Sequence, residues 1–197
     1  MLYEVPWSRI NEMADASAEA FISNNDPIGN FIFAGEPGHL QLKKRFFRSL
    51  VTSCQPKAVR HAFSPLLEAV SIWFPPRMDH SEDKDADPFF EGDFSCSGTM
   101  GKLQTVNDVI SALTEDLGKD PQWYLHLVAV RPQFIGRGYS SQLIRPMLEA
   151  ARKDNLPCTL ITQSRDNVSK YEHWGFKVVK EMPVPCSKKK FYSMRRD

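Results

Sequence analysis

Two glycines one residue apart, Gly136 and Gly138, flank Arg137 in the stretch "VRPQFIGRGYSSQLI", between an apolar run and an amphipathic one. Glycine inside regular structure costs about 0.5–1 kcal/mol relative to alanine, so a chain that keeps two of them here needs bare backbone. A strand that turns through glycine into a helix offers N–H groups with no intrahelical partner. The helix macrodipole adds positive potential at the same point. The chemistry this suits is the holding of a phosphate or pyrophosphate, with Arg131 and Arg137 adding charge nearby.

Spacing separates this loop from other phosphate loops. A dinucleotide fingerprint is G-x-G-x-x-G, and Ser141 stands where its third glycine belongs. A Walker loop needs G-x-x-x-x-G-K followed by Ser or Thr. The stretch "CSGTMGKL" supplies Gly101 and Lys102, but Cys96 replaces the first glycine and Leu103 the hydroxyl residue. The cysteines Cys54, Cys96, Cys158 and Cys186 form no C-x-x-C pair. Neither a zinc site nor a redox dithiol is signalled, and they read as free thiols.

The elements around the loop must position it. "QWYLHLVAV" (122–130) reads as a buried strand. "YSSQLIRPMLEAARKD" reads as a helix with Leu143, Ile144, Met147, Leu148 and Ala151 on its apolar face. Pro146 breaks the local rule by removing a helix hydrogen bond, which a kink or a late helix start would absorb. "CTLITQS" is the next strand, "NVSKYEHWG" a short helix stopped by Gly175, and "FKVVKEMPV" with "KFYSMRRD" a closing hairpin. Upstream, residues 14–27 and 39–54 read as helices, 57–63 and 67–76 as short strands, and 103–118 as a helix. Residues 79–101, acidic first and then rich in Gly and Ser, read as an exposed insertion. Strands alternating with helices, and a hairpin at the end, predict one α/β (α+β) domain over residues 1–197 with a mixed sheet.

Composition narrows the function. With 42% apolar and 25% charged residues in 197, the chain has an ordinary globular make-up and enough length for one core. A net charge of +1 argues against a dedicated nucleic-acid binder. No apolar run approaches membrane-spanning length, so no membrane partner is expected. "MLYEVPWSRINEMAD" has no secretory h-region, which leads to the expectation of a cytoplasmic protein.

Gln133-Phe134-Ile135-Gly136-Arg137-Gly138 fits [QR]-x-x-G-x-[GA] after the strand "LHLVAV" and Pro132. About thirty residues later comes "NVSKYEHWGFKVV", with Asn167, Tyr171, Gly175 and Phe176. In order and spacing these two blocks resemble the acyl-CoA motifs of the GCN5-related N-acetyltransferase (GNAT) superfamily. The specific part of the resemblance covers residues 122–196. "AFISNNDPIGNFIF" and "AVSIWFPP" look like the branch of puromycin N-acetyltransferase-like enzymes.

The resemblance implies a mixed, mostly antiparallel sheet with helices on both faces. A splayed strand pair in it would hold acetyl-CoA as co-substrate, with no metal. It implies that backbone groups of Val128, Ala129 and Val130 pair with the pantetheine arm. The pyrophosphate would lie on the loop that begins at Gln133 and runs through Ile135, Gly136, Arg137, Gly138, Tyr139, Ser140 and Ser141. Asn167 matches a position that contacts the cofactor arm, and Tyr171 the tyrosine that protonates the leaving thiolate. A thiol ionises near pH 8.5 and a phenol near 10, so a phenol held close can donate as the thiolate forms.

The acceptor amine must shed a proton before it attacks, and His126 is the candidate base. "LHLVAV" looks like the corresponding strand of arylalkylamine N-acetyltransferase, where a histidine at this place helps carry the proton off through water. Regular alternation would put Tyr124, His126, Val128 and Val130 on one face. A small-molecule amine is the expected acceptor, with Phe31, Phe33, Trp73, Phe74, Tyr124 and Trp174 as candidate liners. A peptide or protein N-terminus as acceptor stays open, as does a non-catalytic acyl-CoA-binding module. So does the choice between monomer and homodimer.

Overall fold

The computed structural model describes residues 2–23, 26–54, 57–76, 97–118, 120–184 and 188–197. The N-terminal half runs β1 (Tyr3–Glu4), α1 (Ile10–Ser23), α2 (Pro27–Ile32), α3 (His39–Thr52), β2 (Val59–Ala62), β3 (Ala69–Phe74) and α4 (Ser97–Glu115). The C-terminal half runs β4 (Trp123–Val130), α5 (Tyr139–Asp154), β5 (Cys158–Thr162), α6 (Arg165–His173), β6 (Lys177–Pro183) and β7 (Lys190–Arg196). The strands form one sheet in the order β1-β2-β3-β4-β5-β7-β6. Neighbours are antiparallel except β4 and β5, which run parallel across the helical crossover α5.

Two irregularities in β4 make the site. First, its pairing with β5 is short: Trp123, Tyr124 and Leu125 face Cys158, Thr159 and Leu160, and there the ladder stops. Beyond it β4 pairs only with β3, and β5 only with β7. The sheet is splayed at its centre, as the sequence resemblance implied. Second, the β3–β4 register slips between Ile72 and Trp73: Leu127 faces Ile72 while Leu125 faces Trp73. His126 is therefore the extra residue of a β-bulge, which bends the strand and re-aims its side chains.

Helices cover both faces of the sheet. α1 and α3 lay Met13, Ala16, Ala20 and Val51 on Val70, Ile72, Leu127 and Ala129. On the same side, α2 and α4 bring Ile32, Leu103, Val106 and Leu113 together with Phe46 and Phe191. On the other side, α5 and α6 pack Ile144, Met147, Ala151, Val168 and Tyr171 on Trp73, Leu125, Leu160 and Met194. Burying each large side chain contributes about 1.5–3 kcal/mol. That burial is why α5 runs unbroken through Pro146, whose missing hydrogen bond costs about 3 kcal/mol.

Several sequence boundaries need correction. The helix expected over 14–27 starts earlier and runs from Ile10 to Ser23, and Asp26-Pro27 starts a second helix, α2, that the sequence reading did not give. The Asp26 carboxylate accepts the Gly29 N–H at 2.5 Å as N-cap, and proline occupies the first turn. α4 begins at Ser97, so the last residues of the 79–101 stretch are helical. The part before them, with Phe89, Phe90 and Phe94, lies outside the described residues, as do Cys96 and Cys186. Cys54 and Cys158 are buried free thiols.

Candidate active site

The loop after β4 opens with one 3-10 turn, Pro132–Phe134. The backbone then passes through Gly136 at φ +85° and Gly138 at φ +75°. L-residues are strained at such angles. A Cβ at either position would meet nothing within 4 Å, so conformation alone demands glycine here. Gly138 is the N-cap of α5, and the first bond inside the helix is from Gln142 N–H to the Gly138 carbonyl, 3.3 Å. The N–H groups of Tyr139, Ser140 and Ser141 precede that bond and stand at the positive end of a 16-residue helix.

Contacts from other elements hold the loop. Tyr139 stacks on Phe63 with ring centroids 4.0 Å apart, anchoring α5 to the β2–β3 turn. The Arg137 guanidinium lies over the Phe134 ring at 5.2 Å. Arg131 turns toward α1, with Nε 3.1 Å from a Glu19 carboxylate oxygen. Of the two arginines expected to add charge at the loop, Arg137 is the exposed one, beside exposed Gln133 and Ile135.

Two hydrogen bonds orient the open edge of β4. Arg131 N–H donates to the Glu68 carbonyl, toward β3, while Phe63 N–H donates to the Ala69 carbonyl on the far side of β3. Val130 faces Ala69, so alternation turns the N–H and C=O groups of Val128 and Val130 toward the split. Those of Ala129 turn toward β3. Of the three residues expected to offer free backbone, two do so.

The bulge also overturns the expectation that Tyr124, His126, Val128 and Val130 share a face. Tyr124 packs toward the α1 side and Val128 toward the α5–α6 side. His126 stacks on Phe74, centroids 4.5 Å apart and planes within 20°, with Tyr124 at 5.9 Å from the same Phe74 ring. His126 Nε2 lies 3.4 Å from the Leu50 carbonyl in the last turn of α3. A carbonyl can only accept, so this contact calls for the proton on Nε2.

Tyr171 comes from the opposite face. It is 8% exposed on α6, with Trp174 and Phe176 edge-on at 5.7 and 5.8 Å. Burial raises its phenol well above the usual range, and neighbouring Tyr124 raises it further. Burial likewise pushes Tyr124 up to about 12. Half-buried Asn167 lies one turn before Tyr171 and accepts from Lys170 Nζ at 3.4 Å.

Thus the phenol approaches from the α5–α6 side and the imidazole from the α1–α3 side. Among the expected aromatic liners, Phe33 and Trp73 are core, Phe31 packs against the α2–α4 core, and Trp174 stands on the α6 side. Phe74 and Tyr124 remain beside His126. The Phe63–Tyr139 stack, the Glu19–Arg131 pair and the Leu50 carbonyl have no local sequence signal, because each joins elements distant in the chain.

Residues 67–176, just over half of the chain, match the acetyltransferase (GNAT) family. Similar folds occur in several solved structures. One is histone acetyltransferase HPA2 and related acetyltransferase from Corynebacterium glutamicum (16% identity, TM-score 0.67, 100% of this chain and 94% of that one). Another is mosquito arylalkylamine N-acetyltransferase like 5b (14%, 0.65, 100% and 98%). A third is the Drosophila melanogaster polyamine N-acetyltransferase that forms N-acetylagmatine (13%, 0.62, 99% and 98%). The splayed central strands, the glycine turn capping α5 and the family match agree, and the chain belongs to the GNAT acetyltransferases, enzymes that use acetyl-CoA as co-substrate.

Proposed function

We propose that this enzyme transfers the acetyl group of acetyl-CoA to the amine of a small molecule by direct attack, without an acyl-enzyme. The observation that carries the reading is the loss of β4–β5 pairing after Leu125, with the glycine loop at one end of the opening. Acetyl-CoA fits it: an extended pantetheine arm would complete the Val128 and Val130 ladder as an added strand. Pyrophosphate would take the N–H groups around Gly136, Gly138, Tyr139, Ser140 and Ser141, and Asn167 is within α6 for the arm.

Acetyl-CoA supplies an activated acetyl thioester. The Val130 N–H is assigned to the carbonyl oxygen of that thioester, stabilising the charge that develops there. Tyr171 stays protonated through burial and is assigned as the donor to the departing sulfur. His126 is assigned as the base, directly or through water, on the α1–α3 side from which the amine would enter. Phe74 and Tyr124 beside it support an acceptor with a flat or apolar part. Two of the similar structures are named for small amines and one for histones. Affinity with the puromycin N-acetyltransferase-like branch rests on the sequence of "AFISNNDPIGNFIF" and "AVSIWFPP", the latter containing β3.

Melting with and without acetyl-CoA tests the cofactor site. Ligand at about a hundred times its dissociation constant stabilises by roughly 2.7 kcal/mol, on the order of 5–10 °C here. Gly138→Glu should abolish the rise. A rise that persists in Gly138→Glu, or its absence in the wild type, overturns the site. An amine screen read by product mass then identifies the acceptor. An acetylated peptide in place of a small amine would reassign the substrate, and binding without turnover would make the chain an acyl-CoA-binding module.

A further inference from the structure

A cleft lined by two arginines lies at the end of the fold remote from the glycine loop. α5 runs away from that loop, and a rise of 1.5 Å per residue sets Leu148 roughly 12 Å beyond Ser140. There a cleft of about 410 Å³ opens between α5 and α6, lined by Arg145, Leu148, His173, Trp174 and Arg196 among others. Arg196 lies opposite Cys158 at the start of β5, whereas the glycine loop follows the end of parallel β4. The volume falls in the range of small-molecule sites, roughly 300–1,000 Å³.

The side chains in the cleft carry an excess of positive charge, Arg145 and Arg196 against Glu149. Arg145 and Arg196 converge from α5 and β7 and have no hydrogen-bond or ion-pair partner among the described residues. Glu149 lines the cleft as well; Arg152 holds it through two bonds of 2.9 and 2.8 Å, and the Arg196 charge adds to the pull that keeps its carboxyl below the usual range. Arg196 is half-buried, and its path depends on Gly175. A Cβ at Gly175 would lie 3.3 Å from Arg196 Nε and 3.6 Å from its Cδ. The absent side chain leaves the guanidinium stem room to cross the α6–β6 turn. Trp174, half-buried, lines the cleft and packs edge-on against Tyr171 at 5.7 Å, and buried Leu148 adds an apolar wall.

We propose that this cleft binds a small phosphate ester with a flat or apolar body, at a site separate from that of acetyl-CoA. Two guanidinium forks suit the phosphate oxygens, which they can hold through paired charge-assisted bonds. The indole and Leu148 suit the body. Two guanidiniums stand against one carboxylate, Glu149, that Arg152 already holds, so the cleft is net positive and an anion would relieve it.

Phenyl phosphate is the probe, titrated at constant ionic strength into the full chain while the Trp174 indole N–H resonance is followed. Trp174→Phe assigns that resonance. The expected result is a saturable shift, with affinity lowered about tenfold by Arg145→Gln and by Arg196→Gln. Lys44→Gln, an equal charge loss on exposed α3 surface, should leave it unchanged. The melting response to acetyl-CoA should survive in both arginine variants, which separates this site from the cofactor site. Exposed Arg145 carries the test if Arg196→Gln does not fold. No saturable shift at millimolar probe overturns the proposal, as does binding that survives Arg145→Gln. Shifts confined to Tyr139, Ser140 and Ser141 and lost in Gly138→Glu would place the phosphate on the glycine loop and overturn it too.

Discussion

A phenol serves as an acid only while it keeps its proton, and the surroundings of Tyr171 see to that. Its raised ionisation leaves it protonated at every working pH, so loss of rate in alkali should not come from this group. Tyr171→Phe removes one oxygen from a packed aromatic cluster and leaves the ring. Expected are a fall in kcat of about 10²–10⁴, little change in KM for acetyl-CoA, and a Tm within about 2 °C of wild type. An unchanged kcat would make Tyr171 a core aromatic and nothing more. His126→Gln should lower kcat about 10²-fold while acetyl-CoA still raises the melting temperature; a lost melting response would instead mean that the bulge had collapsed. Both residues were read as candidates from the sequence, Tyr171 through its spacing from the glycine loop and His126 through its strand. The face that each occupies was not. Alternation in "YLHLVAV" gives no sign of the bulge, because the slip depends on how β3 pairs beside it.

At the scale of elements, local signals were readable wherever one segment carries the whole reason. Glycines at positive φ, a helix with one apolar face and a terminal hairpin are such segments. The Asp26-Pro27 signal fits a helix stop and a helix start equally well, and here it marks both: α1 ends before it, at Ser23, and α2 starts on it with Ile28 and Ile32 buried. That burial has a cost. Asp26 is 6% exposed, and desolvation, opposed by the Gly29 N–H and the Lys43 charge, raises it from 3.8 to about 6. The folded chain then binds the proton more tightly than the unfolded one. Stability falls as pH rises from 3.8 toward about 6, and the full cost of roughly 3 kcal/mol stands above that. Asp26→Asn keeps the capping oxygen and removes the charge. It should raise Tm by several degrees at pH 7.5, with the advantage vanishing near pH 4. A destabilised Asp26→Asn at pH 7.5 would show that the carboxylate's attraction to Lys43 outweighs its desolvation.

On the scale of the whole molecule, the sheet is two half-sheets joined by three residue pairs, Trp123–Cys158, Tyr124–Thr159 and Leu125–Leu160. α1 and α5 lie against β3 and β4, with α3 packed on α1, while α4 meets β5, β7 and β6, and α6 meets β6. The alternating pattern of elements foretold a mixed sheet, but an opening in it is a property of two strands far apart in sequence, and only the family resemblance of the glycine-loop motif pointed to it. Mechanically, a ligand that pairs with the open edge ties one half to the other. Amide hydrogen exchange reads that directly. In the free protein the Val128 and Val130 amides should exchange faster than Ala129, whose N–H faces β3. Acetyl-CoA should slow Val128 and Val130 and leave Ala129 nearly unchanged. Gly138→Glu should cancel the ligand-induced slowing; the strain it puts on a left-handed position at the start of α5 should show in the free protein around residues 138–141 and leave the Val128 and Val130 amides as they are in the wild type. Equal protection of all three amides before ligand is added would mean that β4 is already covered, and that the cofactor does not complete the sheet.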